Sequence, residues 1–301
     1  MTARDVEYHA ILRQHVRPLE PRPTGETTRL VRLSGIRAVL FDIYGTMIIS
    51  GCGDVGTVAS DGRGEAISGA FAAVGLTAKQ RPSRMVEVLE AVIRSHQEAA
   101  RAEGIDYPEV DIVAVWADVV ASLSKGGTDR EAADHVDCRR LAIEYEVRAN
   151  PVWPMPHLAE CLDRLSGSER LLGVISNAQF FTPVLFPALL GRSLTELGFD
   201  GKLQFFSYEH RHGKPSDELF RLAGRELASR SVSPDEVLYV GNDMLNDVTP
   251  AAAFGMRTAL FAGDARSLRL RTDDARTTGV APDMVLTDLL QLIECLPPLA
   301  D

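Results

Sequence analysis

The chain has 301 residues, with 32 Lys and Arg against 42 Asp and Glu, a formal net charge of −10. Hydrophobic residues make up 45% and charged residues 25%, which suits one large α/β domain or a core carrying a smaller second unit. The acidic balance argues against a nucleic-acid partner, because phosphate backbones are repelled, and no apolar run approaches the roughly 18 residues of a membrane span.

Residues 1–35 read as an arm. Met1 to Glu20 is charged throughout and lacks the apolar segment of a signal peptide, so a cytoplasmic location is expected. Asp5 to Val16 has helix-forming composition, and Pro18, Pro21 and Pro23 end it. An apolar run, Ile36 to Phe41, then stops at a carboxylate, Asp42, followed by Ile43, Tyr44, Gly45 and Thr46. Such a run predicts a strand buried on both faces, with Asp42 at its carboxyl end, where ligands sit in parallel sheets.

Ser50 to Gly64 is rich in glycine and predicts a loop or flap. From Glu65 to Arg148 the pattern is helical: Ala66 to Val74, Pro82 to about Arg101, a helix opened by Tyr107-Pro108-Glu109, and Asp129 to Val147. Four helices without an intervening strand predict a separate helical unit inserted between two core strands. Strands and helices alternate from Pro151. The predicted strands are Leu171 to Ile175, Leu203 to Ser207, Val237 to Val240, Thr258 to Phe261 and Met284 to Leu286. The predicted helices are His157 to Leu165, Pro183 to Leu197, Ser216 to Ser229, Val248 to Phe254 and Asp288 to Cys295. This alternation implies right-handed crossovers and a parallel sheet. Cys52, Cys138, Cys161 and Cys295 lack metal-ligand spacing and read as reduced structural thiols.

A parallel sheet gathers the polar ends of its strands at one edge. That edge would hold Asp42 and Thr46, Ser176 and Asn177, and Asn242, Asp243 and Asp247, with Lys214 within reach. A carboxylate is a competent nucleophile if its adduct is later hydrolysed. Ser176, Asn177 and the turn at Gly45 offer donors to an anion, and Lys214 can neutralise it. Clustered carboxylates call for a cation, and Mg²⁺ is the natural oxygen-seeking choice.

These motifs, in this order, resemble the haloacid dehalogenase superfamily. The resemblance covers residues 36–46 and about 151–297, with the helical insertion in the place of the family's cap. It implies a Rossmann-like three-layer core (36–50 and 151–301) with an all-helical cap (51–150). It makes Asp42 the nucleophile and first metal ligand, the Tyr44 carbonyl a second ligand, and Asp243 and Asp247 the rest of a Mg²⁺ site. Ser176 and Lys214 would hold the phosphoryl group, with Gly45, Thr46 and Asn177 binding substrate.

Two departures stand out. Tyr44 occupies the position where phosphatases of the family carry a second Asp as acid and base, and a phenol of ordinary pKa is a poor base at neutral pH. Asp-x-Tyr-Gly-Thr is instead the pattern of the family's metal-free 2-haloacid dehalogenases. Asn242 stands where many relatives place the first acid of the fourth motif. The carboxylate pair Asp243 and Asp247 favours a Mg²⁺-dependent phosphohydrolase acting on a small anionic metabolite, with a 2-haloacid dehalogenase as the alternative. A catalytically weak binding protein of the same fold is the third reading. A monomer or homodimer is expected.

Overall fold

The computed structural model describes residues 3–52, 60–124 and 135–299. Helix α1 (Ala3–His15) precedes β1 (Ala38–Phe41) and β2 (Ile48–Ser50). Four helices follow: α2 (Ser60–Ala73), α3 (Pro82–Ala102), α4 (Ile112–Ser124) and α5 (Cys138–Ala149). The chain continues through β3 (Val152–Pro154), α6 (Leu158–Ser166), β4 (Leu171–Ser176), α7 (Thr182–Leu190), β5 (Phe199–Phe206), α8 (Ser207–His210) and α9 (Glu218–Ser229). It ends with β6 (Val237–Gly241), α10 (Thr249–Ala253), β7 (Arg257–Phe261), β8 (Met284–Leu286) and α11 (Gln291–Cys295).

Six strands form one sheet in the order β5-β4-β1-β6-β7-β8, and every pairing is parallel. β1 is central, with Phe41 level with Val174 of β4 and Val240 of β6. Side chains alternate between the two faces of a strand, so Val39 and Phe41 enter one apolar core and Ala38 and Leu40 the other. Both cores are apolar, which explains the uninterrupted apolar run that predicts this strand.

The α2–α5 helices bury their own core around Trp116, Phe71 and Leu89. They are joined to the sheet through β2 and β3, which pair antiparallel with Ile49 opposite Trp153. These two short strands are not foreseen in the sequence; three residues are too few to show a period.

Three expectations shift. The glycine-rich flap is in part helix: α2 starts at Ser60, and residues 53–59 lie outside the described residues. Gly64 sits where an added Cβ would come 3.0 Å from Pro82 Cβ, so this glycine serves close packing against the start of α3. Residues 107–109 do not open a helix. Gly213 N donates to Tyr107 O at 2.8 Å and Glu109 N to Arg211 O at 3.0 Å, and α4 starts later, where Asp111 accepts from Val113 N and Ala114 N. The helix read from Asp129 begins at Cys138, where the Asp137 side chain caps Arg139 N and Arg140 N; residues 125–134 lie outside the described residues.

The arm contacts both units. α1 packs on α7 of the core and α5 of the cap, burying Tyr8, Ile11 and Leu12. Tyr8 meets Phe180 edge-on at 6.0 Å. Farther along, Arg29 and Val285 exchange backbone bonds of 3.0 Å each way, covering the exposed edge of β8. Among the described residues no helix is long and apolar enough to cross a membrane.

Candidate active site

The carboxyl ends of β1, β4 and β6 converge as expected. Asp42 is 6% exposed and Lys214 also 6%. Lys214 Nζ donates to Asp42 Oδ1 at 2.7 Å, to Asp247 Oδ1 at 2.5 Å and to the Tyr239 hydroxyl at 3.1 Å. Tyr239 in turn donates to Ile175 O at 2.8 Å. Burial works against the ammonium, but Asp247 and Asp42 outweigh it and raise the Lys214 pKa. Burial pushes the Asp247 carboxyl up to about 7, with Lys214 opposing and Asp42 and Asp243 adding to the rise. A fixed ammonium between two carboxylates is thus the centre of the site.

Lys214 is placed from behind by Asn177. The Asn177 side chain accepts from Lys214 N at 2.6 Å and donates to Lys214 O at 3.2 Å. Asn177, expected at the substrate, lines both cavities while its amide also holds the lysine's backbone. Ser176 is fully buried and its hydroxyl turns to Asn177 O at 3.3 Å. Thr46 is equally buried and donates to Asn242 Oδ1 at 3.1 Å. Gly45 has φ +85°, and an added Cβ would lie 2.5 Å from Ser267 Cβ and 2.6 Å from Asn242 Nδ2. Gly45, Thr46 and Asn242 therefore form a packed seat behind Asp42, and Asn242 Nδ2 closes it on Ser267 O at 2.6 Å.

Tyr44 does not point its hydroxyl at Asp42. It bonds Thr182 Oγ1 at 3.0 Å, and burial, then the nearby Glu146, lift its pKa far above the ordinary phenol value. Such a group holds its proton and cannot act as a base at neutral pH.

Asp243 is fully engaged. Its Oδ1 accepts from Leu245 N at 2.8 Å and Asn246 N at 3.2 Å. Arg271 Nη2 reaches its Oδ2 at 2.6 Å, and Arg271 Nε lies 3.2 Å from both oxygens. Asp247 Oδ2 accepts from Asp243 N at 2.9 Å. The donors expected for Mg²⁺ are thus divided. Among the described residues the Asp42 carboxylate is paired with Lys214, while Asp243 is held by a guanidinium and Asp247 by Lys214. Among the described residues no three His, Cys, Asp or Glu side chains are gathered to hold a metal ion. In this arrangement cationic side chains balance the carboxylates.

Two cavities meet here. One of about 60 Å³ is lined by Asp42, Lys214, Asp243, Asp247 and Arg269. The other, of about 460 Å³, lies between the sheet and the inserted helices. They share Tyr44, Asn177 and Lys214. Nothing in the local sequence singles out Arg269. Its guanidinium bonds the carbonyls of Arg266 and Leu268 at 2.8 and 3.0 Å and, among the described residues, none of the ion pairs includes it. It is delivered by the backbone bridge that joins it to Asp243, a non-local pairing with no local signal.

The sequence itself matches a model of the haloacid dehalogenase-like hydrolases over residues 36–255. The chain belongs to that family. As a haloacid dehalogenase-like hydrolase it is an enzyme of the hydrolase class. No curated protein matches its sequence. Among solved structures it is similar to a 2-haloacid dehalogenase from Pseudomonas syringae pv. Tomato DC3000, with a TM-score of 0.55 at 20% identity over 86% of this chain and 97% of that one. It is also similar to L-2-haloacid dehalogenase from Xanthobacter autotrophicus (TM-score 0.47, 22% identity, 86% and 97% covered). A predicted phosphoglycolate phosphatase from Haemophilus somnus 129PT gives a TM-score of 0.48 at 13% identity, with 87% and 98% covered. At these identities the similarity speaks for the fold.

Proposed function

We propose that this haloacid dehalogenase-like hydrolase cleaves a small phosphate ester through an aspartyl phosphate on Asp42. The observation that carries this reading is the Lys214 ammonium bridging Asp42 and Asp247 at the junction of the two cavities. Lys214 holds one oxygen of Asp42, and among the described residues the other has no hydrogen-bond partner, so it can attack phosphorus. The P–O bond to the alcohol breaks, the leaving oxygen takes a proton from water, and a second water hydrolyses the acyl phosphate to free Asp42 and phosphate. Phosphoryl transfer needs mainly positioning and charge neutralisation. Lys214 and Arg269 offer two cationic groups to the transferring group, and Asp247 and Tyr239 keep Lys214 in place. No step calls on Mg²⁺, because Asp243 is committed to Arg271.

A second reading, 2-haloacid dehalogenase, is favoured by Tyr44. Halide leaves without a proton, so a site whose second position bonds Thr182 rather than the reacting groups loses nothing in that chemistry. Hydrolysis of p-nitrophenyl phosphate and halide release from 2-chloropropionate, each measured with Mg²⁺ and with EDTA, separate the two. Phosphate release lost in Asp42→Asn supports the first reading. Halide release in EDTA with inertness toward phosphate esters replaces it with the second.

A further inference from the structure

The larger cavity holds a carboxyl group that the reaction above does not use. Glu146 lies in the last turn of α5 and lines that cavity together with Tyr44 and Lys214. Its Oε1 accepts from Asn150 Nδ2 at 3.0 Å. Asn150 is 3% exposed, and its own Oδ1 accepts from Ser50 Oγ at 2.8 Å. That second bond fixes the amide orientation, so Asn150 presents its NH₂ to Glu146. Glu146 is thereby anchored through β2, at the root of the cap, by one oxygen only.

Among the described residues no lysine or arginine pairs with Glu146. The cation nearest in sequence, Arg148, is taken by Glu144 at 2.5 Å. Arg63, which also lines the cavity, is held by Glu90 at 2.6 Å. Glu109 is, like Glu146, a half-buried carboxyl there, and it is satisfied by Ser207 Oγ at 2.7 Å, Gln179 Nε2 at 2.8 Å and Val110 N at 3.2 Å. Glu146 is the one left short. A carboxyl with one anchored oxygen and no cation is costly to bury, and a ligand cation removes that cost. Burial raises its pKa, which registers the same cost.

The walls around it suit a cation. Tyr145 lines the same cavity, its ring packed edge-on against the fully buried Trp116 at 5.0 Å. An aromatic ring beside a carboxylate is a setting in which ammonium groups bind. At the opposite end of the space Lys214 and Arg269 line the smaller cavity together with Asp42, Asp243 and Asp247, and these two cationic groups are the ones a phosphate would meet.

We infer that the substrate carries an ammonium group which Glu146 receives, with its phosphate at Lys214: a phosphate ester of a small amino alcohol or amino sugar. This rests on the phosphate-ester reading above. The test is calorimetric titration with matched non-hydrolysable pairs, 2-aminoethylphosphonate against ethylphosphonate and 3-aminopropylphosphonate against propylphosphonate. Wild type and Glu146→Gln are compared, with thermal unfolding to verify that the variant is folded. In wild type one aminated member is expected to bind at least about tenfold more tightly than its unaminated partner, and Glu146→Gln is expected to bring the ratio to within about twofold. Equal affinities in wild type, or a preference that persists in Glu146→Gln, overturn the inference. Ester hydrolysis measured alongside keeps the two ideas apart. Turnover without amine preference removes the ammonium site and leaves the phosphatase reading. Amine preference without phosphate turnover does the reverse.

Discussion

Arg271 grips Asp243 with Nη2 at 2.6 Å and Nε at 3.2 Å. A carboxylate that the sequence assigns to a metal is thereby neutralised by a side chain from the loop after β7. If that pair controls the site, Arg271→Ala leaves Asp243 buried and uncompensated, seeking another cation. The variant is expected to bind Mn²⁺ or Mg²⁺ at least about tenfold more tightly than wild type. Titration calorimetry with MnCl₂ measures this, and equal affinities would show that the guanidinium does not govern the carboxylate.

The seat behind Asp42 has no room for a methyl group. Gly45 combines φ +85° with a Cβ position 2.5 Å from Ser267, so Gly45→Ala brings backbone strain and a clash together. The expected cost is about 2–4 kcal/mol in urea unfolding, with activity falling in parallel. A loss below about 0.5 kcal/mol would mean that the turn relaxes freely.

Much of this centre is legible in the sequence because its residues sit at strand ends. Asp42, Ser176 and Gly241 each follow an apolar run, and a parallel sheet aligns such ends. What escapes is set by tertiary pairing. Arg269 and Arg271 arrive through a bridge between loops, Glu146 is set in the cavity by the hydrogen bonds of Asn150, and Asn177 also braces the Lys214 backbone. None of these follows from periodicity or from a local motif. The shift of α4 to Ile112 has the same cause: residues 107–109 satisfy their backbone on residues 211–213, overriding the start signal at Pro108.

The arm fastens the cap to the core. Tyr8 is 3% exposed and stacks edge-on to Phe180, and Glu7 lies 3.6 Å from Arg140 of α5. Truncating Tyr8 to Ala removes a large buried ring and is expected to cost about 3 kcal/mol. Guanidinium unfolding checks it, and a cost under about 1 kcal/mol would mean that α1 is only loosely attached.

Glu109 gives a pH signature. Burial raises its pKa above the ordinary carboxyl value despite bonds from Ser207, Val110 and Gln179. The folded state then binds the proton more tightly than the unfolded chain, so this group's contribution to stability is fullest below about 4.5 and declines as pH rises toward the folded pKa. Glu109→Gln removes that slope. The Tm of the variant relative to wild type is expected to rise as pH increases from about 4.5, then level off. A difference independent of pH would show that Glu109 is no harder to ionise folded than unfolded.

The claim that Asp42 is the nucleophile is open to direct capture. Rapid acid quench of wild type turning over p-nitrophenyl phosphate, followed by peptide mass spectrometry, is expected to find one added phosphoryl group on the peptide bearing Asp42. In Asp42→Asn both the adduct and the turnover are expected to vanish. Steady phosphate release with no adduct at Asp42, or turnover that survives Asp42→Asn, would contradict the account.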